Sequence, residues 1–162
     1  MLLYYFSILH LIFADNSYFY FDCKHLILPS LCQCYHSGEK TQLRCHNIQL
    51  ESVPKLPNNM QWNALDLSFN YLQSIGNYVF ADIYVEKLDL KHNFIEFIET
   101  TAFERIENLK ELFIDHNQLK IFDPDTLKSP GASLGKFKNK TRTLFNLLFK
   151  KSLIYLQIHW NI

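Results

Sequence analysis

All four cysteines of the chain, Cys23, Cys32, Cys34 and Cys45, lie before residue 46. Thiols so close together can oxidise in pairs to disulfides or, as thiolates, share a zinc ion. Zinc knuckles usually come as two Cys-x-x-Cys pairs, whereas the only close pair here is Cys32-x-Cys34, which favours disulfides. Four cysteines allow three pairings, and spacing alone does not choose among them. Disulfides require an oxidising compartment, and the N-terminus points to one. Residues 1–14 (MLLYYFSILHLIFA) are almost wholly apolar and give way at once to Asp15, Asn16 and Ser17. A membrane span needs about 20 apolar residues, so this segment reads as a secretory signal cleaved near Ala14.

Other residues with chemical potential are fewer. His92 and His116 stand 24 positions apart, each with an aspartate nearby (Asp89 and Asp115). Imidazole and carboxylate can ligate zinc or copper, and two neighbouring imidazoles could charge together in mild acid and strengthen partner binding. An open surface offers no enclosing shell for an ion, so no metal is assigned. Asn139-Lys140-Thr141 is the only Asn-x-Ser/Thr sequon and an expected glycan site. Gly-x-Ser-x-Gly, His-Glu-x-x-His and a Gly-rich phosphate loop are all missing, and the chain has only 4 Gly. The expectation is a non-enzyme with no cofactor.

These residues are placed by a repeat. Asn70, Asn93 and Asn117 are 23 and 24 residues apart, and each closes one apolar pattern. The segments are Trp62-x-x-Leu65-x-Leu67-x-x-Asn70-x-Leu72, Val85-x-x-Leu88-x-Leu90-x-x-Asn93-x-Ile95 and Leu109-x-x-Leu112-x-Ile114-x-x-Asn117-x-Leu119. Each continues with an apolar residue at Ile75, Ile98 or Phe122 and another at Phe80, Phe103 or Leu127. The Leu-x-Leu alternation is that of a strand with one buried face. One such strand cannot bury its apolar side alone; stacked units can, as a parallel sheet over a continuous core. Asn is suited to the turn that follows, because its amide both donates and accepts. Asn70, Asn93 and Asn117 are expected to form a buried ladder between coils.

This pattern resembles the leucine-rich repeat family. The resemblance covers about residues 32–127 and implies an α/β-type repeat solenoid. That fold is a horseshoe with short parallel strands on its concave face and a mostly irregular or short helical convex side. Upstream, the four cysteines with Leu43-Arg44-Cys45 and the Leu50-x-x-Val53-Pro54 run resemble the cysteine-rich N-terminal cap of extracellular members. The family's pattern implies Cys23–Cys34 and Cys32–Cys45 disulfides. The gap between Cys23 and Cys32 is longer than is usual in such caps. The expected organisation is a signal peptide over 1–14, a cap over 15–56, three repeats over 57–127 and an irregular tail over 128–162.

The tail resists the register. Leu134-x-x-Phe137 begins a fourth unit, yet Arg142 stands near where the next Asn belongs. The pattern resumes only at Leu153-x-x-Leu156-x-Ile158-x-x-Asn161. Residues 128–152 are either an insertion before a genuine fourth strand, or everything after about Lys136 is foreign to the repeat, as in a truncated product. In either case an apolar edge is expected to lie open after Leu112 and Ile114 and to promote self-association. A membrane link is expected only through a C-terminal part beyond this chain.

Charge narrows the partner. Lys plus Arg and Asp plus Glu are 16 each, so no net field favours a polyanion such as nucleic acid. In the repeat, outward strand positions form stripes: Ala64, Lys87, Glu111; Asp66, Asp89, Phe113; Ser68, Lys91, Asp115; and Phe69, His92, His116. This mixed-charge surface with aromatic anchors suits a protein partner. The resemblance implies an extracellular protein ligand, with Phe69, Lys91, His92, Phe113, Asp115 and His116 as contact residues. The implied role is the recognition part of a secreted or cell-surface receptor or adhesion protein. The alternatives are a matrix protein binding collagen, growth factors or glycans, and a secreted regulator of an enzyme.

Overall fold

The computed structural model describes residues 19–21, 28–37, 40–58, 60–129 and 134–138. The signal segment, Cys23, the sequon at Asn139 and the tail beyond residue 138 lie outside them. Seven strands make one sheet: β1 (Phe19–Phe21), β2 (Gln33–Ser37), β3 (Lys40–Arg44), β4 (Gln61–Asp66), β6 (Tyr84–Asp89), β8 (Glu111–Phe113) and β9 (Lys136–Lys138). β1, β2 and β3 are antiparallel neighbours, whereas β3, β4, β6, β8 and β9 run parallel in that order. On the return segments β5 (Ser74–Ile75) and β7 (Phe97–Ile98) pair as a second, two-stranded sheet, and a 3-10 helix spans Pro124–Leu127.

The register follows the leucines. Leu43, Leu65, Leu88 and Leu112 stand directly opposite one another along the sheet, and all are buried. Leu67, Leu90 and Ile114 form the next buried column, and Trp62, Val85 and Leu109 the preceding one. On the return side Phe80 and Phe103 stack with ring centroids 5.6 Å apart and planes 6° apart. Fully burying one such apolar side chain is worth about 1.5–3 kcal/mol. Only the assembled stack supplies the neighbours that make the burial possible.

The turn after each strand leaves main-chain groups that the sheet cannot pair, and the asparagines take them up. Asn93 Nδ2 donates to Leu67 O of the preceding coil (3.1 Å) and to Leu90 O of its own (3.1 Å), while its Oδ1 accepts from Leu72 N (3.2 Å). Asn117 repeats this one coil on, donating to Leu90 O (2.9 Å) and Ile114 O (3.0 Å) and accepting from Ile95 N (3.0 Å). Asn70 reaches into the cap, donating to Cys45 O (2.7 Å) and accepting from Ile48 N (3.0 Å) and Leu50 N (3.1 Å). All three side chains are buried.

The cap is the first rung of the same sheet. Cys32 and Cys45 form a disulfide that ties the segment before β2 to the end of β3. Cys34 is also disulfide-bonded, and its expected partner, Cys23, lies outside the described residues. Cys32, Cys34 and Cys45 are buried against the apolar edge that the first repeat would otherwise expose.

At the other end, the edge expected to lie open after Leu112 and Ile114 is occupied. β9 pairs along β8, with Leu112 opposite Phe137. The chain is brought there by Leu134, buried as Leu109 is one coil earlier, and by Gly135 N donating to Lys110 O (2.9 Å). The sheet therefore runs to Lys138, past the point where the repeat was expected to fail.

Near the strands' N-terminal ends a polar cluster also bridges coils. Glu86 accepts from Lys110 Nζ (2.7 Å), Asn63 Nδ2 (3.3 Å) and Asn108 Nδ2 (3.2 Å). The Lys110 hydrogen bond, followed by that of Asn63, holds the Glu86 carboxyl below the usual carboxylate range.

Replacing Asn93 by Ala leaves buried main-chain groups unpaired and should cost about 1–3 kcal/mol in urea unfolding; an unchanged midpoint would contradict the ladder. Removing the Cys32–Cys45 bond as a double serine variant should cost about 3 kcal/mol, through the lost restraint on the unfolded chain. A depressed carboxyl contributes stability above its unfolded value and loses it as pH falls through its folded value. Lys110→Met should therefore move the Glu86 titration, followed by NMR, up toward the ordinary range and flatten the acid limb of the stability curve.

Candidate binding face

The outward residues of the parallel strands line the concave side, but not all as the alternation predicts. Lys91, His92, His116 and Phe69 reach the surface. Phe113 and Asp115, expected as contacts, are only 6% and 5% exposed, and this corrects their assignment. Lys87 Nζ and Lys91 Nζ lie over the Phe113 ring, 5.1 and 5.4 Å from its centroid, and β9 pairs beside it. A cation over an aromatic face is an attractive contact, so Phe113 is the floor under two lysines and not an anchor. Lys91 also forms an ion pair with Asp89 at 3.0 Å. Asp115 Oδ1 is buried with no hydrogen-bond donor among the described residues.

Ahead of each ladder asparagine the backbone turns left-handed, at Phe69 (φ 58°), His92 (52°) and His116 (57°), and the cap has a left-handed Asn47 (53°) one coil before Phe69. Asn tolerates this region, whereas bulky residues rarely enter it, and each such non-Gly position costs about 1–3 kcal/mol. The same turn aims these side chains outward, where their rings stack. His92 lies 4.2 Å from Phe69 (18° between planes) and 4.1 Å from His116 (12°), and His46 tilts onto Phe69 at 5.0 Å. Partial burial between its neighbours, then repulsion from His116 and Lys91, holds the His92 imidazole below its usual value against Asp89 and Asp115. A charged His116 opposes the charging of His92 in this arrangement. Parallel stacking also sends the in-plane lone pairs of the two rings side by side, so they do not converge on one ion. Among the described residues no three His, Cys, Asp or Glu gather as a metal site.

Three groups next to the column have the composition of a hydrolytic triad. Ser68 Oγ donates to Asp66 Oδ1 (2.5 Å) and lies 2.9 Å from His46 Nδ1. Ser68 is buried, and its N–H also donates to Asp66 Oδ1 (3.0 Å). A nucleophile needs its proton directed at the base; here it is directed at the carboxylate, and the trio closes the turn.

The register assigns outward positions beyond the strand as well, and these were missed. Tyr71 and Phe94 stand on adjacent coils with ring centroids 5.8 Å apart, and Phe97 and Ile121 follow on the return segments. All are exposed, Phe97 by 50% and Ile121 by 72%. Together with Phe69 these exposed outward positions of successive coils are termed the lip. At the cap end, Tyr35, Gln42, Leu43, Arg44, Ala64 and Asp66 line a shallow hollow of about 380 Å³, and Arg44 Nε is 3.7 Å from Asp66 Oδ2. The lip would have been found by following the apolar residues of the register past the asparagine into the loop.

Comparison with known proteins agrees with this architecture. The family model described as leucine rich repeat matches residues 61–119 and 83–131. Leucine-rich repeat-containing protein 3 of Danio rerio is 32% identical over 95 residues, which are 57% of this chain and 35% of that protein. Mimecan of Gallus gallus is 33% identical over 134 residues, 81% of this chain and 44% of that protein. The crystal structure of human 5T4 (Wnt-activated inhibitory factor 1, trophoblast glycoprotein) shares the fold, with a TM-score of 0.63 at 23% identity, over 78% of this chain and 48% of the other. The chain thus spans less than half the length of each of these relatives. Mimecan, osteomodulin, tsukushi and 5T4 are secreted or extracellular-side proteins. The chain belongs to the extracellular leucine-rich repeat proteins, with a disulfide-closed cap leading into its parallel rungs.

Proposed function

We propose that this chain is a non-catalytic recognition module that holds an extracellular protein on its concave rungs and the adjoining aromatic lip. One observation carries the proposal. Phe69, Tyr71, Phe94, Phe97 and Ile121 are large apolar side chains left exposed together on neighbouring coils, although the core is already filled by other columns. Scattered exposed apolar residues are ordinary, but here they recur at outward positions of successive coils, with Tyr71 and Phe94 in ring contact, as expected of an interaction surface. Aromatic side chains are also enriched among the few residues that dominate binding energy. Phe69 supports this further, since it keeps an exposed ring at a left-handed position that costs backbone strain.

Catalysis has no support on this face. In the Ser68–His46–Asp66 grouping the serine is buried and directs its hydroxyl at the carboxylate, and the relatives are binding proteins. Of the six contact residues read from the alternation, Phe69, Lys91, His92 and His116 remain contacts, while Phe113 and Asp115 support them from below. Tyr71, Phe94 and Phe97 join the set.

The test is a panel of recombinant ectodomains and matrix proteins, including collagen, screened against the full chain by surface plasmon resonance. For any binder, Phe94→Ser and Phe97→Ser should each weaken affinity about tenfold or more, equivalent to about 1.4 kcal/mol, with little change in thermal midpoint. Binders insensitive to both substitutions, and to Phe69→Ser, would contradict the assignment of this surface.

A further inference from the structure

The imidazole column has a charge logic that the protein-binding role does not itself require. We propose that the His92–His116 stack is the docking point for an acidic segment of the partner protein and takes up a single proton as that segment binds. This inference rests on the recognition role proposed above and specifies the partner's chemistry.

Stacking decides what the partner meets. His92 is covered on one face by Phe69 at 4.2 Å and on the other by His116 at 4.1 Å, yet both histidines are exposed. For His92 the accessible part is the ring edge, which carries the nitrogens and the positive rim, and the edge of His116 lies beside it. Two such edges about one coil apart suit an oxygen-rich group, and a side-chain carboxylate is the one a protein supplies.

The surrounding charges set the number of protons. Asp89 and Asp115 face His92 and favour charging, whereas Lys91 and a charged His116 oppose it. Asp89 is already engaged by Lys91 at 3.0 Å, and Asp115 is buried beneath. At the cap end Asp66 faces both Arg44 and His46, each at 3.7 Å, so that carboxylate is shared too. Lys87 lies over Phe113 and makes no ion pair among the described residues. Glu111 stands beside Lys87 in the register, so the face carries no excess of positive charge until an imidazole charges. One imidazolium is compatible with this setting, because Asp115 makes no ion pair among the described residues, but a second would sit about 4 Å from the first and share that one carboxylate. A docked carboxylate supplies a further counter-charge from the solvent side. It raises the imidazole's value in the complex above that in the free protein, so the affinity gain is absent well above the bound-state value. The gain grows as pH falls and levels off below the free-state value. One proton limits the slope to about tenfold per pH unit.

The probe is a fluorescein-labelled hexaglutamate peptide, whose side chains stay charged at pH 5.5. Its binding to the full chain is followed by anisotropy at pH 7.5, 6.5 and 5.5. Binding should strengthen toward pH 5.5 with a slope of no more than one proton. The gain should vanish in the double variant His92→Asn, His116→Asn, because Asn accepts the left-handed backbone of both positions. NMR titration of the His92 ring should show its midpoint raised by His116→Asn alone, because that variant removes the repulsion from His116. A pH gain that survives in the double variant overturns the proposal. So does heparin binding at pH 5.5 without hexaglutamate binding, or a His92 midpoint that ignores the removal of His116. An ectodomain captured equally at all pH values and by the double variant would refute this inference while leaving the recognition role in place.

Discussion

Each coil of this molecule ends its strand in a turn whose main-chain groups point into the core, and the asparagine of the following coil reaches back to pair them. Asn93 bonds Leu67 O and Leu72 N, and Asn117 bonds Leu90 O and Ile95 N. Asn70 does the same for Cys45 O in the cap. Unpaired groups at these depths would each cost on the order of 1–3 kcal/mol, comparable to the burial of a leucine. The leucine columns and the asparagine column thus depend on one another. Apolar packing brings the coils close enough for the amides to reach, and the amides make the turns between packed strands tolerable.

The turn that the ladder stabilises also builds the surface. Because the residue before each asparagine is left-handed, its side chain leaves the sheet's alternation and joins a separate column. Identical geometry in successive coils places those side chains about 4–5 Å apart, so Phe69, His92 and His116 stack. The lip of Tyr71 and Phe94 follows from the same repetition one step further along the chain. A device for closing coils thereby becomes a device for displaying rings in line, at a place where their edges meet solvent.

How much of this could be read from residues alone varied with the kind of signal. The strands, their parallel order and the buried amides follow from Leu-x-Leu-x-x-Asn, because a period of about two dozen residues has few other physical solutions. The antiparallel strands of the cap carried no such period. Phe and His are not residues that announce a left-handed backbone, so the ring column could be placed on the face while its stacking could not. Phe113 and Asp115 obeyed the outward alternation and were nonetheless buried, since alternation says nothing of the lysines from a neighbouring coil that lie over a ring. The lip lies in loops, where neither a period of two nor one of 3.6 applies. The last rung was obscured because only Leu134 and Phe137 preserve its pattern.

The dependence of the fold on coil-to-coil amide pairing is most directly observed in native-state hydrogen exchange. The main-chain amides of Ile48, Leu50, Leu72 and Ile95 lie outside the strands and are accepted only by asparagine side chains in the hydrogen bonds described. They should be protected to the same degree as the strand amides of Leu65 and Leu88 and should exchange with them as one cooperative unit. Exchange of these four amides at the rate of exposed loops, with the strands still protected, would show that the ladder does not hold the coils together.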